Sequence, residues 1–117
     1  MNQSNLQNIT PKELWKWMQE DSLDLILIDV REDNELDIAK FPANTIHLPL
    51  SRFDEWEKTV KEKLSIDSSI VSICHAGVRS RSFALWLLEQ DSRFKVWNLS
   101  GGIEAWSLEI DPSVPRY

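Results

Sequence analysis

The sequence predicts an α/β domain built on a parallel sheet. Short apolar runs alternate along the chain with segments of helical periodicity, and the connections between the runs are too long for hairpins. The run at 25–30 is almost continuously apolar, which is typical of a parallel strand buried on both faces. No repeat or linker interrupts this alternation, so we expect one domain over residues 1–117.

The first helix of this domain has a well-defined start. Residues 6–9 form a short apolar and polar stretch that we interpret as an edge strand. Thr10 is then suited to cap a helix, Pro11 fits the first helical position, and Glu13 completes a capping box. These signals predict a helix that begins at Pro11 and leads to the strand at 25–30.

The middle of the chain continues the alternation of helix and strand. Residues 31–39 are predicted to be a short charged helix or turn, and residues 45–48 a strand. Ser51 is expected to cap a third helix. The apolar residues of that helix recur at helical spacing and are Phe53, Trp56, Val60 and Leu64.

The last third of the chain supplies two more strands. Residues 69–73 and 96–99 are predicted strands, and the apolar density of 81–89 indicates a well-buried helix between them. A short helix is expected to run from Gly101-Gly102 through Trp106. Prolines at 112 and 115 predict that residues 108–117 are irregular.

Composition limits the classes of partner. The chain has 13 basic and 19 acidic residues, and its net charge of −6 argues against nucleic acid or an anionic membrane as the main partner. Its apolar runs are too short to cross a membrane, and residues 1–5 lack the layout of a signal peptide. We therefore expect a cytoplasmic protein. A single cysteine allows neither an internal disulfide nor a cysteine-rich metal site.

Cys74 is the candidate nucleophile, because ligands of open α/β sheets bind beyond the carboxyl ends of the strands. The loop 74–79 reads Cys-His-Ala-Gly-Val-Arg. Its backbone N–H groups, the positive end of the following helix and the charge of Arg79 all favour a thiolate. No Asp or Glu lies between 68 and 88, so the loop is expected to be a basic island on an acidic chain.

A structural role for Cys74 is the alternative, since a cysteine at the end of a buried strand often serves as a small apolar residue. The chain has only three glycines, and Gly77 is one of them. A glycine in this loop indicates a backbone conformation that other residues disfavour. Together with Arg79, it favours the nucleophile.

Three motifs carry a family resemblance. Asp29-Val30-Arg31-Glu32, the loop from Cys74 through Arg79 to Ser80, and Gly101-Gly102 followed by Trp106 occur in this order. The sequence resembles the rhodanese-like domain family, the single-domain thiosulfate sulfurtransferases, over nearly its whole length. That resemblance implies a rhodanese-like three-layer α/β/α fold, with a central parallel sheet of about five strands and helices on both faces.

The resemblance also implies a chemistry. The Cys74 thiolate would take the sulfane sulfur of a donor such as thiosulfate, form a persulfide and pass the sulfur to cyanide or a thiol. The substrate-binding residues would be those whose amides surround the terminal sulfur, namely His75, Ala76, Gly77, Val78 and Arg79. Arg79 would also hold the anionic donor. The implied partners are a small sulfur donor and a thiol acceptor, and the acceptor could also be a protein. We expect a monomer that uses no cofactor and no metal.

Other residues are assigned supporting roles. Asp29 is expected to bond nearby backbone, with Arg31 pairing to Glu32 or Glu35. His75 is either a base or a donor contact, or takes no part in catalysis. Gly101 and Gly102 are expected to turn the chain beside the Cys74 loop. His47 is expected to be structural, and the six tryptophans are expected in the core or an interface, with Trp106 a candidate to line the pocket.

One departure from the family pattern and two alternative functions are left open. The family commonly has Gly-His-Ile-Pro-Gly-Ala where residues 39–44 read Ala-Lys-Phe-Pro-Ala-Asn, which affects a local turn and one wall of the site entrance. Phosphatases and arsenate reductases use a Cys-x5-Arg loop, whereas residues 74–79 are Cys-x4-Arg, a shorter loop better suited to one sulfur atom. A dedicated sulfur carrier or docking module remains compatible with the same residues.

Overall fold

The computed structural model describes residues 6–20 and 23–117, and its centre is a sheet of five parallel strands. The spatial order is β1-β5-β4-β2-β3, so β4 lies in the middle and β1 at one edge. The strands are β1 (Gln7–Ile9), β2 (Leu25–Asp29), β3 (Ile46–His47), β4 (Ser69–Ile73) and β5 (Lys95–Leu99). The predicted α/β fold with about five parallel strands is confirmed.

Helices cover both faces of this sheet. They are α1 (Pro11–Met18), α2 (Asp33–Ile38), α3 (Phe53–Lys63), α4 (Val78–Gln90) and α5 (Gly102–Glu109). One buried cluster joins the strands to α3 and α4, while a second joins them to α1 and α5. Adjacent residues of β4 serve opposite clusters, since Ile70 belongs to the first and Val71 to the second. This alternation produces the three layers.

Local sequence signals account for two helix starts. Thr10 and Glu13 form the predicted capping box of α1, with Pro11 in the first turn. Helix α4 begins at Val78, three residues before the predicted start, because Gly77 adopts a positive φ of 98° and turns the chain into the helix. Val78 and Arg79, the last two residues of the predicted loop 74–79, therefore belong to the first turn of α4.

Two helix boundaries differ from the prediction. Ser51 does not cap α3, because it lies inside a 3-10 turn (Leu50–Arg52), and its hydroxyl bonds to the carboxylate of Glu32. Helix α5 continues through Glu109 instead of ending at Trp106, so the irregular tail begins at Ile110 and not at residue 108. Across the described residues, no helix has both the length and the apolarity needed to cross a membrane.

Candidate active site

Cys74 follows the central strand β4 at its carboxyl end and is almost fully buried, with 1% of its surface exposed. Its Sγ accepts a hydrogen bond from the Gly77 amide at 3.1 Å and lies 3.2 Å from Ser80 Oγ. The first turn of α4 lies directly after the loop, so the positive end of that helix is close to the sulfur. The structure thus places Cys74 where a thiolate would be stabilised.

Ser80 and Asn98 form a buried polar network behind the sulfur. Asn98 Nδ2 donates to the Gly77 carbonyl at 2.9 Å, which leaves its Oδ1 to face Ser80 Oγ at 2.5 Å. The Ser80 hydroxyl has one proton, so it donates a hydrogen bond to either Asn98 Oδ1 or Cys74 Sγ at any moment. When it donates to Asn98, Ser80 Oγ is free to accept a hydrogen bond from the thiol of Cys74. Sequence reasoning assigned neither residue a role, because their contacts join β5 to α4.

Arg79 does not bring a free positive charge to the loop, contrary to the sequence prediction. Its guanidinium forms two hydrogen bonds with the Glu35 carboxylate, at 2.5 and 2.8 Å. These bonds hold the pKa of Glu35 at about 2, and the carboxylate raises the pKa of Arg79 in turn. The local sequence lacks acidic residues, but α2 supplies one from 44 positions away. Tertiary structure therefore pairs the charge of Arg79 with an acidic partner that the local sequence does not contain.

Asp29 and Arg31 form a buried ion pair below the loop. Arg31 is 0% exposed and donates to both Asp29 oxygens, while its backbone N–H bonds to Asp29 Oδ1 at 3.0 Å. The prediction that Asp29 bonds nearby backbone is confirmed, but the predicted pairing of Arg31 with the carboxylate of Glu32 or Glu35 is wrong. The part of Glu35 that Arg31 contacts is its main-chain carbonyl, at 3.5 Å.

His47 contacts the backbone beside this ion pair. Its Nε2 lies 2.6 Å from the Arg31 carbonyl.

Gly101 and Gly102 bring the start of α5 against the Cys74 loop. Both have positive φ, and the amides of Ile103 and Glu104 donate to the carbonyls of Cys74 and His75. A Cβ on Gly102 would lie 2.4 Å from the His75 carbonyl oxygen. The predicted turn beside the loop is confirmed, and its physical reason is this close approach.

The remaining loop side chains form the outer surface. Ala76 is exposed, and Val78 is 74% exposed. The ring of His75 stacks on that of Tyr117, with centroids 4.2 Å apart. Tyr117 was missed from the sequence, since nothing in the local pattern of the tail indicates a contact with the loop.

Trp106 and the 39–44 segment pack in a different buried cluster from Cys74. Trp106 is buried and packs on Phe41 with ring centroids 4.8 Å apart, and both belong to the cluster under α1 and α5. The expectation that Trp106 lines the pocket of Cys74 is therefore corrected. The altered 39–44 segment, which lacks the family's glycines, buries Ala39 and Phe41 in the same cluster.

No cluster of three or more potential metal ligands occurs among residues 6–20 and 23–117. The site is thus built from one thiol, backbone amides, two small polar side chains and a paired arginine.

The fold and loop define a class of protein: an α/β domain with a buried cysteine between its central parallel strand and the following helix. The family model for the rhodanese-like domain matches residues 10–109, and the chain belongs to this family.

Similar proteins include sulfurtransferases. The chain is 35% identical to the thiosulfate sulfurtransferase GlpE of Haemophilus influenzae over 98 residues, which cover 84% of this chain and 85% of that protein. It is 42% identical to the chloroplastic Rhodanese-like/PpiC domain-containing protein 12 of Arabidopsis thaliana over 91 residues, or 78% of this chain. The match spans only 30% of the Arabidopsis protein.

Solved structures share the fold. The structure of reduced Bacillus anthracis CoADR-RHD aligns with a TM-score of 0.74 and 25% identity, covering 98% of this chain and 19% of that one. Saccharomyces cerevisiae Ygr203w, described as a homolog of single-domain rhodanese and the Cdc25 phosphatase catalytic domain, aligns with a TM-score of 0.73. It is 24% identical and covers 95% of this chain and 87% of that one, a likeness that concerns the fold alone.

Proposed function

We propose that this domain is a sulfurtransferase that moves a sulfane sulfur from a donor such as thiosulfate to a thiophilic acceptor through a Cys74 persulfide. The observation that carries the proposal is the hydrogen bond from the Gly77 amide to Cys74 Sγ, at 3.1 Å, just before the start of α4. A backbone amide at the start of a helix favours the thiolate, which is the nucleophilic form of cysteine.

The reaction proceeds in two steps, persulfide formation and sulfur release. The Cys74 thiolate attacks the outer sulfur of thiosulfate, a new S–S bond forms, and the donor S–S bond breaks with its electron pair leaving on sulfite. An acceptor, cyanide or a thiolate, then attacks the terminal sulfur of the persulfide, and the Cys74 thiolate is released. No net oxidation of the protein occurs, and neither step needs a cofactor.

The loop supplies electrostatic stabilisation at both steps. The Gly77 amide donates to Cys74 Sγ, and in the persulfide we expect the amides of residues 75–79 to face the terminal sulfur. The Ser80 hydroxyl donates to the thiolate when its proton points away from Asn98. Arg79 uses two of its five N–H groups on Glu35, which leaves others for an oxygen of the donor. Because Glu35 balances the charge of Arg79, the main contribution of Arg79 to binding the anionic donor is hydrogen bonding and not net positive charge.

The sulfur acceptor lies outside these 117 residues. Cys74 is their only cysteine, so they offer no second thiol to attack the persulfide. The proposed acceptor is a small molecule or the thiol of another protein. In the second case the domain acts as a dedicated sulfur carrier with the same Cys74 chemistry.

Kinetics with the wild type and two variants test the proposal. With thiosulfate varied against cyanide, the wild type is expected to give the parallel double-reciprocal lines of ping-pong catalysis. Cys74→Ser is expected to keep the fold and lose transfer, whereas Ser82→Ala, an exposed change on α4, is expected to keep the wild-type rate. Hydrolysis of a phosphate monoester by the wild type, without sulfur transfer, would assign the site to phosphatase chemistry instead.

A further inference from the structure

The end of the chain returns to the nucleophile loop after leaving α5. The segment from Ile110 to Tyr117, here called the tail, is fixed by Val114, which is 5% exposed and whose carbonyl accepts from Ser107 Oγ at 2.7 Å. Val114 belongs to the buried cluster under α1 and α5. The tail is thus anchored to the core before it reaches the loop.

Tyr117 contacts three residues around the loop. Its ring stacks on His75, the residue next to the nucleophile, with ring planes inclined by 29°. Its hydroxyl donates to Glu35 Oε2 at 2.9 Å and accepts from Arg31 Nη1 at 3.0 Å. In sequence, Tyr117 is 86 positions from Arg31 and 82 positions from Glu35.

The hydroxyl of Tyr117 and the guanidinium of Arg79 share one carboxylate oxygen. Glu35 Oε2 accepts from Arg79 Nη2 at 2.8 Å as well as from Tyr117. Four side chains therefore form a continuous series, from Arg31 through Tyr117 and Glu35 to Arg79. Loss of the hydroxyl removes one donor from Glu35 and one acceptor from Arg31 at once.

We propose that Tyr117 is a positioning residue for the Cys74 loop. Its ring holds the His75 end of the loop, and its hydroxyl holds Glu35 in the position that fixes Arg79 at the other end. This inference rests on the proposed sulfur transfer for its effect on rate, but the effect on loop order is independent of any activity.

Two substitutions separate the ring from the hydroxyl. Tyr117→Phe keeps the stacking on His75 and removes both hydrogen bonds, whereas Tyr117→Ala removes all three contacts. Arg116→Gln is the matched control, because Arg116 lies on the same tail, is mostly exposed and pairs with Glu104 at the surface.

Amide hydrogen exchange of residues 75–79 is the first measurement. Tyr117→Ala is expected to speed exchange of these amides about tenfold and to leave exchange in β4 unchanged, because local opening depends on the contacts that hold a segment.

The pKa of Glu35, followed by NMR of its carboxyl group, is the second measurement. Tyr117→Phe is expected to raise the pKa of Glu35, because a donor to the carboxylate is lost. Arg116→Gln is expected to change neither.

The rate of sulfur transfer is the third measurement. Both Tyr117 variants are expected to lower kcat by about threefold to tenfold, with a smaller change in KM, because amides displaced from the reacting sulfur weaken stabilisation in the transition state. Wild-type exchange at residues 75–79 in Tyr117→Ala, or an unchanged Glu35 titration in Tyr117→Phe, would overturn the proposal. A wild type without transfer would instead refute the proposed function, while the exchange data still decide the role of Tyr117.

Discussion

Arg79 and Glu35 face each other with two parallel hydrogen bonds, Nη1 to Oε1 at 2.5 Å and Nη2 to Oε2 at 2.8 Å. The pair connects α2 to the first turn of α4, so a helix from another part of the chain supports the Cys74 loop. The Glu35 side chain is only 13% exposed, which limits screening of the pair by water. Support of the loop therefore depends on the ionised state of Glu35.

Acid is expected to weaken the fold through this pair. The pKa of Glu35 is about 2 in the fold, below its ordinary value of 4.5, so its stabilising contribution is complete above 4.5 and is lost as pH falls towards 2. Because Arg79 is partly exposed, we expect Glu35→Gln to lower the free energy of unfolding at neutral pH by about 1–2 kcal/mol. Urea unfolding over a pH series measures both effects.

The control for Glu35→Gln is Asp33→Asn on the same helix. Asp33 also pairs with an arginine, Arg52, but is 64% exposed. We expect its substitution to cost less than about 0.5 kcal/mol. Equal losses in the two variants would contradict a special role for the Arg79–Glu35 pair.

Ser80→Ala is expected to slow sulfur transfer by about threefold to tenfold, because the thiolate loses a hydrogen-bond donor. The same change leaves Asn98 Oδ1 without its 2.5 Å partner in a buried site. The rate of Cys74 alkylation by iodoacetamide at a fixed pH reports the reactivity of the sulfur directly, and this rate is expected to fall in the variant. Ser82→Ala, one half-turn further along α4 and exposed, is the control, and identical alkylation rates in all three proteins would refute the role of Ser80.

Gly102→Ala is expected to disrupt the fold more than any other glycine substitution beside the loop. Its Cβ would meet the carbonyl oxygens of His75 and Cys74 at 2.4 and 2.5 Å, on a residue with φ of 61°. We expect a loss of about 3 kcal/mol or more, from overpacking and backbone strain together.

Gly77→Ala provides the comparison for Gly102→Ala. Its nearest neighbour, the Gly101 nitrogen, would be 3.3 Å away, a tight contact without the overlap found at Gly102. The φ of 98° is therefore the main cost, and we expect a loss of about 1–2 kcal/mol. Thermal unfolding of the two variants ranks them, and a milder effect at Gly102 would contradict the close approach of α5 to the loop.

The sequence was sufficient for the parts of the fold that are encoded locally. The capping box at Thr10, the buried strand at 25–30 and the cysteine at the end of 69–73 each depend on neighbouring residues, so the pattern predicts them. The glycine of the loop was informative because the chain has so few, and its positive φ explains its presence.

Contacts between distant segments could not be predicted in the same way. Arg79 finds its acidic partner on α2, and Tyr117 reaches the loop from the tail, because tertiary folding brings these segments together. Ser51 has a capping side chain, yet it bonds to Glu32 because a 3-10 turn precedes α3. Short-range preferences are overruled where packing offers a second partner.

Intact-mass spectrometry after incubation with thiosulfate tests the central claim, the Cys74 persulfide, most directly. The account predicts a gain of one sulfur atom on the wild type, reversed by cyanide, retained in Ser82→Ala and absent in Cys74→Ser. A folded wild-type protein whose Cys74 is alkylated by iodoacetamide but gains no sulfur from thiosulfate or from an organic persulfide would contradict it.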